Sequence, residues 1–163
     1  MKLSKNDDIK LNIDSLTSEG SGIGRFDGFA VFVRGVVPGD EVVAHIIKCS
    51  KNYAIGVVKD IIKPSKFRIE SDCPVSSKCG GCSFRNVSYD EELRYKKGRV
   101  QDALERIGKL DIEVEEIIGA DKCSHYRNKA QYPVSICDGE LFAGFYAFSA
   151  QILKASSPAL NSF

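Results

Sequence analysis

The sequence predicts a mostly β protein, in which a small closed β-barrel precedes a part that mixes strands with one helix. Apolar and polar residues alternate in short segments of the first 62 residues, and turns rich in glycine and proline separate those segments. After residue 88 the apolar residues change to helical spacing. About five short strands with tight turns favour a closed barrel, because closure leaves no exposed strand edge.

Strand-like patterns lie at residues 9–13, 29–33, 41–48 and 53–62. Gly20, Gly22 and Gly24 stand at alternate positions before the second of these segments. A loop that cradles phosphates would open a helix, whereas this run leads into another strand with a different spacing. We therefore interpret the three residues as turn glycines.

The second part of the chain is predicted to be an α+β domain. Ser88 and Glu91 have the spacing of a capping box at a helix start. Apolar residues then recur at helical spacing until Gly108, which acts as a stop: Leu93, Val100, Leu104 and Ile107. Strands are expected at residues 113–118, 129–136 and 141–146, with Asp138-Gly139 as a hairpin turn. We place the barrel at residues 1–63, the α+β domain at residues 64–147 and an unpatterned tail at residues 148–163.

Composition narrows the class of protein. The first twenty residues contain no apolar block of the kind that a signal peptide needs, and nowhere do about 18 apolar residues run together, so we expect a cytoplasmic protein without a membrane partner. The 23 Lys and Arg nearly balance the 22 Asp and Glu over the whole chain. Residues 63–99, however, contain nine Lys or Arg and five Asp or Glu, which gives this segment a net charge of +4. This excess is a modest indication of nucleic-acid binding, and a solvated basic surface explains it equally well.

Three of the six cysteines, Cys73, Cys79 and Cys82, lie within ten residues, two of them separated by a Gly-Gly pair. The glycines permit a tight turn that brings backbone N–H groups close to sulfur. Iron–sulfur clusters and structural zinc both use such sites, and both require a fourth ligand. The remaining candidates for that ligand are Cys49, Cys123, Cys137 and His125. The spacing therefore predicts a metal centre and leaves the metal open.

Aromatic and basic residues of the barrel are candidates for RNA contacts. Phe29 shares a face with Val31 and Val33 and is expected in the core, whereas Phe32 and Tyr53 are candidates for stacking on bases. Candidates for phosphate contacts are Arg25, Arg34, Lys48 and Lys51.

Several of these motifs, in this order, resemble a known family. The segments Glu19-Gly20-Ser21-Gly22-Ile23-Gly24-Arg25 and Phe29-Ala30-Val31-Phe32-Val33 resemble the TRAM domain, an OB-like RNA-binding barrel. The motif Cys-x5-Cys-Gly-Gly-Cys, the helix at residues 89–97 and Tyr126-Arg127-Asn128-Lys129-Ala130-Gln131 resemble the central domain of bacterial 23S ribosomal RNA (uracil-5-)-methyltransferases. The resemblance covers residues 9–146.

The resemblance implies specific roles. Cys73, Cys79 and Cys82 would bind a structural [4Fe–4S] cluster, with zinc as the alternative. The barrel and central domain would grip ribosomal RNA, and Arg127 and Lys129 become RNA-binding candidates. In that family a further Rossmann-like domain binds S-adenosylmethionine, and its cysteine attacks C6 of uracil before methyl transfer to C5.

The sequence differs from the family in two ways that change the function we expect. Residues 148–163 contain neither the histidine nor the cysteine that supplies the family's fourth cluster ligand. The methyl-donor domain, with its catalytic cysteine and base, is also missing from the sequence. We therefore expect the RNA- and cluster-binding N-terminal part of such an enzyme, monomeric, truncated and not catalytic alone, with a separate catalytic polypeptide as a further partner. The alternative is a stand-alone, metal-stabilised TRAM-type RNA-binding protein.

Overall fold

The computed structural model describes residues 3–123, 126, 128–129, 131–137, 139–147 and 152–154. Its backbone forms two compact units. The first unit contains the chain up to Glu70 together with Asn86–Tyr95, and the second contains Ser71–Arg85 and the chain from Lys96 onward. Within the described residues, no helix combines the length and the apolar character that a membrane crossing requires.

The first unit is a closed five-stranded barrel, as the sequence predicts. Its strands are β1 (Asp8–Leu16), β2 (Gly22–Phe26), β3 (Phe29–Arg34), β4 (Glu41–Cys49) and β5 (Tyr53–Lys63). They are hydrogen-bonded in the order β1-β2-β3-β5-β4, and β4 pairs with β1 to close the barrel. The pairing of β3 with β5 is parallel, and the other pairs are antiparallel.

Alternation along the strands produces the barrel core. Val31 and Val33 on β3 are fully buried, while Phe32 between them is not. Phe29, which the sequence assigns to the same face as these valines, packs against the core from a partly buried position. The core cluster contains Ile9, Leu11, Ile13, Val31, Val33, Val36, Val42, Ala44, Ile46 and Ala54.

The three alternating glycines have two different roles. Gly20 has a φ of 78° and lies in the turn between β1 and β2, as predicted. Gly22 and Gly24 lie within β2 instead, so their interpretation as turn residues is wrong. A Cβ on Gly24 would lie 2.6 Å from the carbonyl oxygen of Asn12, and one on Gly22 would lie 2.2 Å from a methyl group of Val36. These two glycines permit close packing rather than a turn.

A buried carboxylate ties the chain after β5 to the barrel. Asp40 accepts hydrogen bonds from the backbone N–H groups of Val37 and Ser65, at 2.7 and 2.8 Å. It also accepts two from the guanidinium of Arg68. Arg68 forms an antiparallel bridge with Val87. Through these contacts the first unit includes residues well beyond the end of β5.

The predicted helix is present between Ser88 and Gly108. Helix α1 spans Tyr89–Asp102, and a π-helical turn continues it over Ala103–Ile107 before Gly108. The predicted capping box is wrong, because the carboxylate of Glu91 instead accepts two hydrogen bonds from Arg94, and the Ser88 N–H donates to the Phe67 carbonyl.

The four apolar residues at helical spacing differ in their exposure. Val100 is 52% exposed and Ile107 is 83% exposed, whereas Leu93 and Leu104 are half-buried. The four residues therefore do not form one continuous buried stripe.

Residues 113–118 form no strand, contrary to the prediction. Side chains of α1 satisfy backbone groups there that a β-ladder would otherwise use. The amide of Gln101 donates to the Ile112 carbonyl at 3.0 Å and accepts from the Val114 N–H at 2.8 Å. Lys97 donates to the Glu115 carbonyl at 2.8 Å.

The described strands of the second unit form a three-stranded antiparallel sheet. They are β6 (Val134–Cys137), β7 (Glu140–Tyr146) and β8 (Ile152–Lys154). β6 is shorter than the predicted segment at residues 129–136 because it begins only after Pro133, which has no N–H for a ladder. Gly139 has the positive φ, 81°, expected of the predicted hairpin, while its neighbour Asp138 lies outside the described residues. β8 gives regular structure to part of the segment expected to be unpatterned.

Candidate nucleic-acid interface

The outer surface of β2, β3 and β5 carries a mixed aromatic and aliphatic patch. Phe32 on β3 is in register with Ile23 on β2 and with Ile55 on β5. The next outward position on β3, Ala30, is in register with Tyr53. We refer to Ile23, Phe32, Tyr53 and Ile55 as the aromatic face. Its side chains are partly exposed, and they stand on the side of the sheet opposite Val31 and Val33.

Phe32 and Tyr53 form the centre of the aromatic face. Their ring centroids lie 5.7 Å apart with an interplanar angle of 74°, an edge-to-face arrangement typical of stable aromatic pairs. Tyr53 is 36% exposed. Ala30, whose side chain is small, leaves the neighbouring ring accessible. A planar base can therefore approach this pair from solvent.

Cationic side chains surround the aromatic face. Arg25 on β2 is exposed and in register with Ala30, which also pairs with Tyr53. Arg34 is exposed at the end of β3, in register with Val57. Lys51 is exposed in the turn before β5, which the hydrogen bond from the Ser50 N–H to the Tyr53 carbonyl closes at 2.8 Å. The barrel topology thus places Arg25, Phe32, Arg34 and Lys51 around one face.

A second charged cluster lies on β1, β4 and β5, and the sequence gives no sign of it. Asp8 contacts Nδ1 of His45 at 2.7 Å and pairs with the ammonium of Lys59. The hydrogen bond from Lys59, followed by that from His45, holds the pKa of Asp8 below its usual value. Lys59 is therefore partly neutralised by Asp8.

The RNA-binding candidates of the second unit are Arg127 and Lys129. Lys129 is exposed. Arg127 lies outside the described residues.

The three clustered cysteines lie on one segment with different exposures. Cys79 is 8% exposed, Cys73 is half-buried and Cys82 is exposed. The Gly81 N–H donates to the sulfur of Cys79 at 3.3 Å, the contact expected from the Gly-Gly pair. Among the described residues, however, no three His, Cys, Asp or Glu side chains converge on a position that could hold a metal ion. The described arrangement alone therefore does not form a metal centre.

Four residues are candidates for a further ligand. Cys49 is exposed on β4, where its thiol contacts the Leu3 carbonyl at 3.4 Å, and Cys123 is also exposed. Cys137 ends β6. His125 lies outside the described residues. Nothing in the described geometry selects one of them.

Sequence reasoning missed a groove in the second unit. It has a volume of about 420 Å³ and is lined by Gly80, Gly81, Gln131, Tyr132, Pro133, Phe145 and Tyr146. Tyr132 and Phe145 form an edge-to-face pair with centroids 5.2 Å apart.

Most of the barrel matches a known domain family, and most of the chain is similar to known proteins. Residues 6–59 match the TRAM domain family. A protein from Listeria monocytogenes serotype 4b (strain F2365), named an uncharacterized RNA methyltransferase, is 46% identical over 144 residues, which are 88% of this chain and 32% of that protein. One of the same description from Halalkalibacterium halodurans is 44% identical over 145 residues, with the same two coverages.

A solved structure shares the fold at low sequence identity. It is the tRNA (uracil-54, C5)-methyltransferase of Pyrococcus abyssi in complex with S-adenosyl-L-homocysteine, with a TM-score of 0.57 and 20% identity over 93% of this chain and 33% of that one. The chain spans about a third of the length of the curated relatives it matches. Residues 6–59 therefore form a TRAM domain, in a chain related over most of its length to proteins named RNA methyltransferases.

Proposed function

We propose that this chain is the RNA-binding part of an RNA methyltransferase and that the aromatic face of its barrel contacts single-stranded RNA. The observation that carries the proposal is the Phe32–Tyr53 pair with Arg25, Arg34 and Lys51 around it. Stacking on aromatic rings holds bases without regard to sequence, and the cations attract the phosphate backbone. This combination is typical of barrels that bind single strands.

The proposed substrate is ribosomal RNA, methylated at C5 of a uracil. Support comes from the resemblance of the cysteine motif and of the segment at residues 126–131 to the 23S ribosomal family. Transfer RNA is the competing substrate, because the structural neighbour is named a tRNA methyltransferase. Competition between a uridine-rich 23S ribosomal fragment and a tRNA for this chain separates the two, and stronger competition by the tRNA would contradict the ribosomal proposal.

We further propose that S-adenosylmethionine binds, and methyl transfer occurs, in the part of the relatives that this chain does not span. The contribution of the residues described above is to hold the RNA. Accordingly, we expect this chain to bind RNA at an affinity that added S-adenosylmethionine does not change. A shift in RNA affinity on addition of S-adenosylmethionine would contradict this division of labour.

The experiment for the barrel is a fluorescence anisotropy titration of a labelled single-stranded RNA. Phe32→Leu and Tyr53→Leu remove a ring but keep an apolar side chain, so the barrel core is left intact. Because stacking on one aromatic ring contributes about 1–3 kcal/mol per base, each variant should weaken binding by about tenfold. Lys10→Gln, which removes an exposed lysine on β1, is the control and should bind almost as tightly as the unchanged chain. Equal affinity of all four proteins would refute the role of the aromatic face.

A second proposal concerns the cysteines. We propose that Cys73, Cys79 and Cys82 hold a [4Fe–4S] cluster, whose role is structural. The N–H of Gly81 on the sulfur of Cys79 supports it, since such donors stabilise thiolates. Because the described side chains do not converge, this proposal requires the segment to close around the cluster.

Anaerobic purification tests the cluster directly. Bound iron and sulfide with a broad visible absorbance would support it, and Cys79→Ser should abolish both, whereas Ser77→Ala, at an exposed position of the same segment, should not. Colourless protein that contains stoichiometric zinc would indicate that the cysteines hold zinc instead of an iron–sulfur cluster. Protein that binds neither metal would contradict a metal centre.

A further inference from the structure

The groove in the second unit is built by three separate segments of the chain. Backbone contacts hold the segments together: the Gly80 N–H donates to the Tyr146 carbonyl at 2.9 Å, and Cys79 forms an antiparallel bridge with Ala147. The Gly144 N–H donates to the Pro133 carbonyl at 3.0 Å. The groove is therefore a property of the fold, and not of one loop.

The lining of the groove suits a flat aromatic ligand. Tyr132, Phe145 and Tyr146 supply three aromatic rings, and Tyr146 is 58% exposed. Gln131 supplies the one side-chain amide of the lining, which offers both a donor and an acceptor. The volume of about 420 Å³ lies at the lower end of the range of about 300–1,000 Å³ for small-molecule sites.

Glycine keeps part of the groove open. A Cβ on Gly81 would lie 3.4 Å from both the Phe145 ring and the Cys79 sulfur. A larger side chain at this position would extend into the space beside the ring. The absence of a side chain therefore preserves access to Phe145.

The charges closest to the groove along the sequence favour an anionic ligand. No lining residue is charged. Within three positions of any lining residue along the sequence, the charged residues are Lys78 and Lys129, both cationic and both exposed. A basic peptide would be repelled by them, whereas a nucleic-acid backbone would be attracted.

We propose that this groove binds one unstacked nucleobase of a single-stranded RNA. The base stacks against Tyr146, the Gln131 amide hydrogen-bonds to the edge of the base, and Lys78 and Lys129 attract the flanking phosphates. Single-stranded RNA is commonly recognised in this way, because its bases can be splayed out and read on their edges. The proposal rests on the proposed function of the chain in binding RNA, and it adds a second, base-holding site to the barrel surface.

Photochemical crosslinking tests the groove residue by residue. A single-stranded RNA carrying 5-iodouridine is bound to the full chain and irradiated, and the crosslinked peptides are identified by mass spectrometry. We expect crosslinks to Tyr132, Phe145 or Tyr146 in addition to crosslinks on the aromatic face of the barrel. Tyr146→Leu should reduce the groove crosslink at least tenfold and leave the barrel crosslinks in place. Leu141→Ala, on the same strand and 74% exposed, is the matched control and should change neither.

The outcomes separate the two proposals. Crosslinks confined to the barrel would overturn the groove and leave the proposed function intact. Crosslinks confined to the groove would support the groove and contradict the aromatic face. If the unchanged chain does not bind RNA at all, both the proposed function and the base-binding role of the groove are contradicted. A Gln131→Leu variant adds a separate readout: the loss of preference among otherwise matched RNAs that differ in one base.

Discussion

The guanidinium of Arg68 donates two hydrogen bonds to the buried carboxylate of Asp40, which lies 28 positions earlier in the chain. The side chain of Asp40 is fully buried, and that of Arg68 is 17% exposed. A third hydrogen bond runs from Arg68 to the Gly35 carbonyl at 3.1 Å. One arginine thus joins the turn between β3 and β4 to the segment that follows the barrel.

Removal of the Asp40 charge is expected to destabilise the first unit. In Asp40→Asn, the guanidinium of Arg68 loses its counter-charge, and one of the two acceptor oxygens becomes a donor. Breaking a buried ion pair costs about 3–5 kcal/mol, so the free energy of unfolding in urea should fall by an amount of that order. Asp60→Asn, which removes an exposed carboxylate on β5, should change it by less than about 0.5 kcal/mol. Equal stability of the two variants would show that the Asp40 network contributes little.

The same network predicts a dependence of stability on pH. Burial alone would raise the pKa of Asp40, but the hydrogen bonds from Arg68, Ser65 and Val37 outweigh burial and hold the pKa below its usual value. The contribution is therefore complete above the unfolded pKa of about 3.9 and is lost as pH falls through the lower, folded pKa. Urea unfolding between pH 7 and pH 2 should show this loss in the unchanged chain, and a weaker pH dependence in Asp40→Asn. Identical profiles for the two proteins would contradict the assignment.

Two glycine-to-alanine substitutions are expected to act in opposite directions. In Gly24→Ala the new Cβ would lie 2.6 Å from the Asn12 carbonyl oxygen, so β1 and β2 must separate, at a cost of about 1–3 kcal/mol. In Gly98→Ala the new Cβ meets nothing within 4 Å on α1, and the higher helix propensity of alanine adds about 0.5–1 kcal/mol. Thermal unfolding monitored by circular dichroism measures both. A neutral Gly24→Ala would indicate that β2 tolerates a side chain there.

The barrel could be predicted because the sequence patterns that specify its strands and turns are local. Strict alternation around Val31 and Val33 identifies a half-buried strand, and the turn residues between the strands limit the topology to tight connections. The roles of Gly22 and Gly24 could not be predicted in the same way. A side chain at either position would clash with Asn12 or Val36, and these two residues lie beside the glycines only in the closed barrel.

Long-range partners explain the other differences from the prediction. The pattern at residues 113–118 is compatible with a strand, but Gln101 and Lys97 occupy backbone groups that a ladder would use. The groove combines Gly80, Gln131 and Tyr146, which are far apart in the sequence. By contrast, Phe32 and Tyr53 could be identified from strand alternation, and their contact across β3 and β5 follows from the parallel pairing.

The salt dependence of RNA affinity tests the central claim, that the aromatic face and its cations bind single-stranded RNA. Each phosphate contact to a single strand contributes about −0.7 to the slope of log K against log salt concentration. We predict a negative slope for the unchanged chain. The slope should be shallower by about 0.7 in Arg25→Gln, shallower by about 0.7 in Lys51→Gln, and unaltered in the control Lys10→Gln. A salt-independent affinity, or a slope that Lys10→Gln changes as much as Arg25→Gln does, would contradict the claim.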